Sequence, residues 1–134
     1  MISSDVIRGY NDTIILYLLR EDPSYGYEIS HRIRLLSEDK YVIKETTLYS
    51  AFTRMEKNGY VESFSQTGDN GKRRTYYRIT DEGKRYYDEK CREWALTKDV
   101  IDRFVVLNDD KVDARIPVTR MKEKEPVPIS AENA

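Results

Sequence analysis

Cysteine occurs once in the 134 residues, which excludes an internal disulfide framework and any thiolate metal cluster. Histidine also occurs once, at His31 on the polar side of the second predicted helix, where it reads as solvated, so no Ser-His-Asp set is expected, and no His/Cys/Asp spacing suggests a metal site. No apolar run approaches the roughly 18–20 residues of a membrane span. Met1 to Tyr10 lacks the basic-then-apolar order of a signal peptide. These absences point to a soluble cytoplasmic protein with no membrane partner. A phosphate-binding loop is missing as well. Gly68-x-x-Gly71-Lys72 has its glycines too close together, no Ser or Thr after the lysine, and a strand instead of a helix to follow. An enzyme is not expected, nor a metal or cofactor. Charge of one sign is also lacking: 23 Lys+Arg stand against 24 Asp+Glu, a net of -1. A partner held by bulk charge alone is therefore excluded.

What the chain does have is tyrosine, 11 of them beside three phenylalanines and one tryptophan. Aromatic rings with a polar tip suit half-buried surfaces, at interfaces or against ligands. At 15.8 kDa there is room for one domain.

The apolar periodicity divides the chain. Ile14, Ile15, Tyr17, Leu18 and Leu19 predict a helix over 11–20, capped by Asn11 or Asp12 and stopped before Pro23. Ile29, Ile33 and Leu36 predict a second helix from Ser24 to Leu36, and Tyr41-Val42-Ile43 a short extended run. A third helix, Glu45 to Asn58, carries Leu48, Ala51, Phe52 and Met55 on one face, with Gly59 placed as its C-cap. The opposite face is Thr46, Ser50 and Thr53, flanked by Thr47 and Arg54. Tyr60–Ser65 and Arg73–Ile79, around the turn-rich stretch 66–72, predict a hairpin with Val61 and Phe64 inward. Thr80 is a good N-cap for a long last helix running to about Leu107. On it Tyr87, Cys91, Trp94, Ile101 and Val105 form a heptad seam interrupted by Lys98. Residues 108–134, with scattered prolines, are expected to form a flexible tail.

Helix, helix, short strand, helix, hairpin is the order of a winged helix-turn-helix. The fold class expected is mainly α with a β-hairpin wing, over residues 1–79, followed by a C-terminal dimerisation helix over 80–107. A third helix with one apolar and one small polar face can lie in the DNA major groove. A hairpin tipped with Lys and Arg can reach backbone phosphates. Charge counted by segment agrees. Residues 44–79 hold seven basic and four acidic side chains, a net of +3, while 1–43 carry -2 and 80–107 carry -1. The predicted DNA contacts are Lys44, Thr46, Thr47, Tyr49, Ser50 and Arg54 from the helix, and Lys72, Arg73 and Arg74 from the wing. The same Thr/Ser face could instead be merely solvated, or dock a protein, which leaves a winged-helix interaction module as the alternative.

Four motifs resemble a family. Tyr25-Gly26-Tyr27-Glu28-Ile29 is similar to the His-Gly-Tyr-Glu-Ile motif of the PadR family of bacterial transcriptional regulators. Thr47-Leu48-Tyr49 with Ser50–Glu56 resembles its recognition-helix signature. Gly59-Tyr60-Val61-Glu62 and Arg74–Gly83 resemble its wing and strand end. The resemblance implies a homodimer paired through the C-terminal helix, repressing a neighbouring gene until an effector binds. It departs at Tyr25, where the family usually has histidine, at Thr46, usually small, and at Ser50, usually proline. Tyr49 matches the signature tyrosine and lies at the edge between the apolar and polar faces, where it either packs, with its hydroxyl reaching phosphate, or contacts a base.

The last helix carries the remaining expectations. A two-fold dimer through Tyr87, Cys91, Trp94, Ile101 and Val105 would place two recognition helices in successive major grooves. In small, drug-sensing members of the family two tryptophans stack flat ligands between them. The resemblance extends that role to Trp94, with Lys98 beside it, and a planar aromatic effector is the partner it implies. Plain core packing of Trp94 against the partner helix is the other reading. Cys91 reads as a small buried hydrophobe, because nothing basic is arranged to lower its pKa.

Overall fold

The computed structural model describes residues 1–108, and the tail expected beyond them lies, from residue 109 on, outside the described residues. The chain divides into two units, Met1–Arg92 and a second beginning at Glu93. The elements are α1 (Ser4–Ile7), a 3-10 turn (Arg8–Tyr10), α2 (Asn11–Leu19), β1 (Ser24–Tyr25), α3 (Gly26–Leu36), α4 (Glu45–Lys57), β2 (Val61–Thr67), β3 (Arg73–Ile79) and α5 (Asp81–Asp102). The three strands form one antiparallel sheet in the order β1-β3-β2. This is the expected winged helix-turn-helix, mainly helical with a hairpin wing.

The core of the first unit forms where apolar stripes converge. Ile15, Leu16, Leu18 and Leu19 of α2, Ile29 and Ile33 of α3, and Leu48, Ala51, Phe52 and Met55 of α4 are all buried. Val61 and Tyr77 close it from the sheet, where the Phe52 and Tyr77 rings stack 3.8 Å apart. The α4 stripe matches its helical wheel residue for residue. Leu36 does not reach the core. It sits in the last turn of α3 and is 63% exposed.

Helix ends follow local rules. Gly59 adopts φ +82°, while Gly59 N donates to Glu56 O and Tyr60 N to Met55 O. That pairing is the left-handed glycine stop for which a side chain would be strained. Thr80 caps α5 as expected, its Oγ1 accepting from Gly83 N at 2.9 Å. At α2 the expectation fails. The N-cap is Tyr10, with no side-chain cap, and Asn11 is instead buried, accepting the Tyr41 hydroxyl at 2.5 Å.

Two further expectations are corrected. The short strand is Ser24–Tyr25, not 41–43. Ser24 and Tyr25 pair with Tyr77 and Tyr76 of β3, an attraction between distant segments that periodicity cannot register. Tyr41 and Ile43 are buried in a loop, whose backbone is held by the Ser37 hydroxyl. Val61 and Phe64 cannot both face inward, because their odd separation places them on opposite faces of β2. Val61 is buried and Phe64 is half-buried on the outer face.

The long helix ends at Asp102 instead of Leu107. Arg103 and Phe104 form a turn, and Val105 lies beyond the helix, retaining only a backbone bond to Ile101 O. Val105 through Leu107 are a β-branched run and then leucine, with no cap among them. The heptad seam therefore loses its last member as a helical position.

Candidate nucleic-acid interface

Helix α4 presents the predicted reading face. Lys44, Thr46, Tyr49 and Ser50 are exposed and Thr47 is half-buried, while the Leu48–Met55 stripe faces the core. Lys44 is the N-cap of α4 and Glu45 follows in its first turn. Thr53, on the same polar side, turns its hydroxyl back onto Tyr49 O at 3.0 Å, so it is committed to its own helix.

Arg54 is placed differently from a free reader. Its Nε donates to Asp12 Oδ2 at 3.2 Å and its Nη2 to Asp12 Oδ1, a two-pronged pair joining α4 to α2. Asp12 is largely buried, with its side chain 17% exposed, while Arg54 is 52% exposed. The Asp12 hydrogen bond pushes the Arg54 pKa above its ordinary value. Arg54 thus fixes α4 to α2 and leaves its outer side exposed. Asp12 stood out in the sequence only as a cap candidate. Its actual role depends on a contact 42 residues away.

The wing is β2 and β3 joined by a tight turn. Gly68 N donates to Lys72 O, Gly71 N to Gly68 O, and the Asn70 side chain accepts from Lys72 N. Gly71 has φ +80°, a conformation that favours glycine. Lys72 and Arg73 are exposed at this turn, and Arg74 is half-buried. Arg78, further down β3, pairs with Glu62 at 3.3 Å and lies over the Phe64 ring at 4.3 Å.

Between α3, α4 and β3 lies a groove of about 340 Å³ lined by Tyr25, Gly26, Tyr27, Tyr49, Arg74, Thr75 and Tyr77. Gly26 is required here by space. A Cβ on it would fall 2.1 Å from the Tyr49 hydroxyl, so glycine lets that tyrosine rest on the start of α3. Tyr49 also meets the edge of Phe52 at 5.6 Å, and it is 44% exposed. It therefore both packs and presents a hydroxyl to the groove. The structure brings Tyr49 and Arg74 to one groove and leaves Lys72 and Arg73 at the tip. Tyr25 stands out in the sequence as a departure from the family motif, with no site role assigned to it, and its ring lies under the Arg74 guanidinium at 4.3 Å.

Tyrosines also close the seam between α2 and the start of α5. Tyr87 is half-buried within its own chain, tilted against Tyr17 at 6.4 Å, with Arg20 over both rings. Cys91 is half-buried one turn on. Burial, then a hydrogen bond shared with Cys91, pushes the Tyr87 pKa up to about 12. Burial also raises Tyr41, Tyr77 and Tyr86. Each folded pKa lies above the unfolded value of 10.0, so the fold favours the neutral phenol. The stabilisation is intact below pH 10 and is lost as pH rises through the folded values. Urea midpoints should therefore hold steady from pH 8 to 9.5 and fall towards pH 12. Tyr87→Phe should flatten that fall. An unaltered fall in the variant would remove Tyr87 from the account.

In the second unit Trp94 is 45% exposed and Ile101 49%. Lys98 pairs with Asp102 at 3.2 Å, which occupies the ammonium along its own helix.

Comparison with known proteins gives concordant results. The model of the transcriptional regulator PadR-like family matches residues 15–89. A Lysinibacillus sphaericus protein, itself uncharacterized, is 46% identical over 105 residues, 78% of this chain and 96% of its own length. The structure of a transcriptional regulator from Clostridium thermocellum is 64% identical, covering 79% of this chain and 100% of that one, with a TM-score of 0.73. A PadR family transcription regulator from Clostridium difficile is 36% identical, covering 72% and 98%, with a TM-score of 0.63.

Proposed function

The chain belongs to the PadR-like family of transcriptional regulators, and on that premise we propose that it is a homodimeric repressor released by a small aromatic effector. DNA binding follows from the family and the winged helix. The observation that carries the finer reading is the exposed apolar side chains of the second unit. Trp94, Leu96, Val100, Ile101 and Phe104 are 40–78% exposed, a run of large apolar side chains of the kind that marks an interaction surface. A second copy covering them gives the two-fold symmetry that a pair of reading heads needs. Tyr87 and Cys91, expected in the same interface, are half-buried in the first unit and contribute less to it. Val105, outside the helix, contributes as a flanking residue.

On DNA, Lys44, Thr46, Thr47 and Ser50 approach base edges from α4. Tyr49, Lys72, Arg73 and Arg74 take backbone phosphates, with Arg54 supporting the helix. A planar aromatic bound at Trp94, beside Lys98, changes the spacing of the two heads and so the fit to two half-sites. A footprint on the DNA upstream of its own coding sequence should show two protected half-sites about one helical turn, roughly 34–36 Å, apart. Planar aromatic compounds should quench Trp94 fluorescence and release that DNA. A single protected half-site would count against the dimer, and quenching without release would count against the effector.

A further inference from the structure

We propose that Tyr25 is a positioning residue for DNA recognition, its ring forming the platform that holds the Arg74 guanidinium ready for a backbone phosphate. This rests on the DNA-backbone reading of the wing and adds to it a residue that makes no contact of its own with DNA.

Tyr25 of β1 pairs with Tyr76 of β3, and Tyr76 pairs in turn with Phe64 of β2. Alternation places Arg74, Tyr76 and Arg78 on the same face of β3. One outer face of the sheet thus carries a ribbon of three rings, Phe64–Tyr76 at 5.8 Å and Tyr76–Tyr25 at 5.1 Å. An arginine lies over each end of the ribbon, Arg78 over Phe64 and Arg74 over Tyr25, both at 4.3 Å.

The two ends differ in charge. Arg78 faces Glu62 across the ladder and is ion-paired to it, so its charge is largely met within the wing. Arg74 faces Gln66, which is neutral. Its charge is held in place by a ring that supplies attraction without a negative ion. The guanidinium also lies against Gly68 of the turn, where an added Cβ would fall 2.5 Å from Nη1. Arg74 therefore touches both a ring and a bare backbone, half-buried, at the rim of the groove that also holds the Tyr49 hydroxyl. A long side chain fixed before binding loses little rotamer freedom on meeting a phosphate. Lys72 and Arg73, exposed at the turn, have no such support among the described residues.

The test is a titration of the full chain against duplex taken from immediately upstream of its own coding sequence, read by fluorescence anisotropy at several salt concentrations. Circular dichroism on each variant establishes that it is folded. Tyr25→Leu should weaken binding about three- to tenfold. Arg74→Ala should weaken it and lower the slope of log K against log salt by about 0.9. The double variant should bind no worse than Arg74→Ala alone, and Tyr25→Phe, which keeps the ring, should bind like the wild type. Gly68→Ala crowds the guanidinium without meeting Tyr25, which is not among the nearest atoms to the added Cβ. It should mimic Tyr25→Leu, and its effect should vanish when Arg74 is absent. Additive losses in the double variants, or a Phe variant as weak as the Leu variant, would overturn the platform. Wild-type protein that fails to bind the duplex at all would overturn the DNA reading itself, a result separate from either.

Discussion

Replacing Gly83 with alanine should destabilise the fold by about 2–4 kcal/mol, although alanine is the better helix former. Two effects compete. In a helix interior alanine gains about 0.5–1 kcal/mol over glycine. At Gly83, however, a Cβ would lie 2.1 Å from the Tyr60 carbonyl oxygen, 2.9 Å from Ile79 Cγ1 and 3.0 Å from the Tyr60 carbonyl carbon. The closest obstacle is backbone, and it is not free to move. Tyr60 O accepts the Thr80 amide at 3.0 Å, and the Thr80 hydroxyl donates to Gly59 O while capping α5. Relieving the clash means lifting the first turn of α5 off the α4–β2 junction, which loosens the cap and the Tyr60–Tyr86 stack at 4.1 Å together. The clash therefore outweighs the propensity gain. Gly9 is the matched control, because a Cβ there meets nothing within 4 Å. Chemical denaturation of Gly83→Ala and Gly9→Ala should separate the two by at least 2 kcal/mol, roughly 10 °C in Tm for a chain of this size. Equal stability in the two variants would show that the α5 contact yields.

The second large effect lies at the wing tip. Removing Lys72 and Arg73 together should cost about one to two orders of magnitude in DNA affinity near physiological salt. It should also lower the salt slope by about 1.8, close to 0.9 per phosphate. The reason is local charge. Of the seven basic residues over 44–79, Arg54 is paired with Asp12 and Arg78 with Glu62. Lys72 and Arg73 stand exposed at a turn that glycines fold tightly. Arg78→Ala is the informative contrast. Its charge is already met by Glu62, so its loss should alter the slope by well under half as much. Because phosphate contacts carry no sequence information, the double wing variant should weaken binding to operator and unrelated DNA alike. A slope unchanged in the wing variant would remove the hairpin from the DNA interface. Loss confined to the operator would assign it a base-reading role instead.

Much of this architecture was legible in the residues. The α4 stripe of Leu48, Ala51, Phe52 and Met55 is a local pattern with one solution, since those four cannot face water together. Gly59 and Thr80 announce a helix end and a helix start for stereochemical reasons that hold in any context. The segment charge concentrates basic residues over 44–79, the stretch that holds α4 and the wing. What failed had a common cause. Ser24–Tyr25 forms a strand because β3 offers it a partner, and Asn11 is buried because Tyr41 supplies its hydrogen bond. Val105 falls outside α5 because a heptad pattern states which side chains could share a face, not where the helix stops.

The site divides in the same way. Residue type and spacing alone determined which side chains are offered for the proposed DNA contacts: small ones on the exposed face of α4, cations at the hairpin tip. Only the tertiary structure decided what each of them can do. Asp12 reaches across from α2 and turns Arg54 into a strut. Glu62 meets the charge of Arg78, whereas Gln66 leaves that of Arg74 unmet and Tyr25 holds it in place. A sequence specifies the charge a residue carries, but whether that charge is available depends on neighbours brought close by folding, because hydrogen-bonded ion pairs and cation–ring contacts need the partner within a few ångströms.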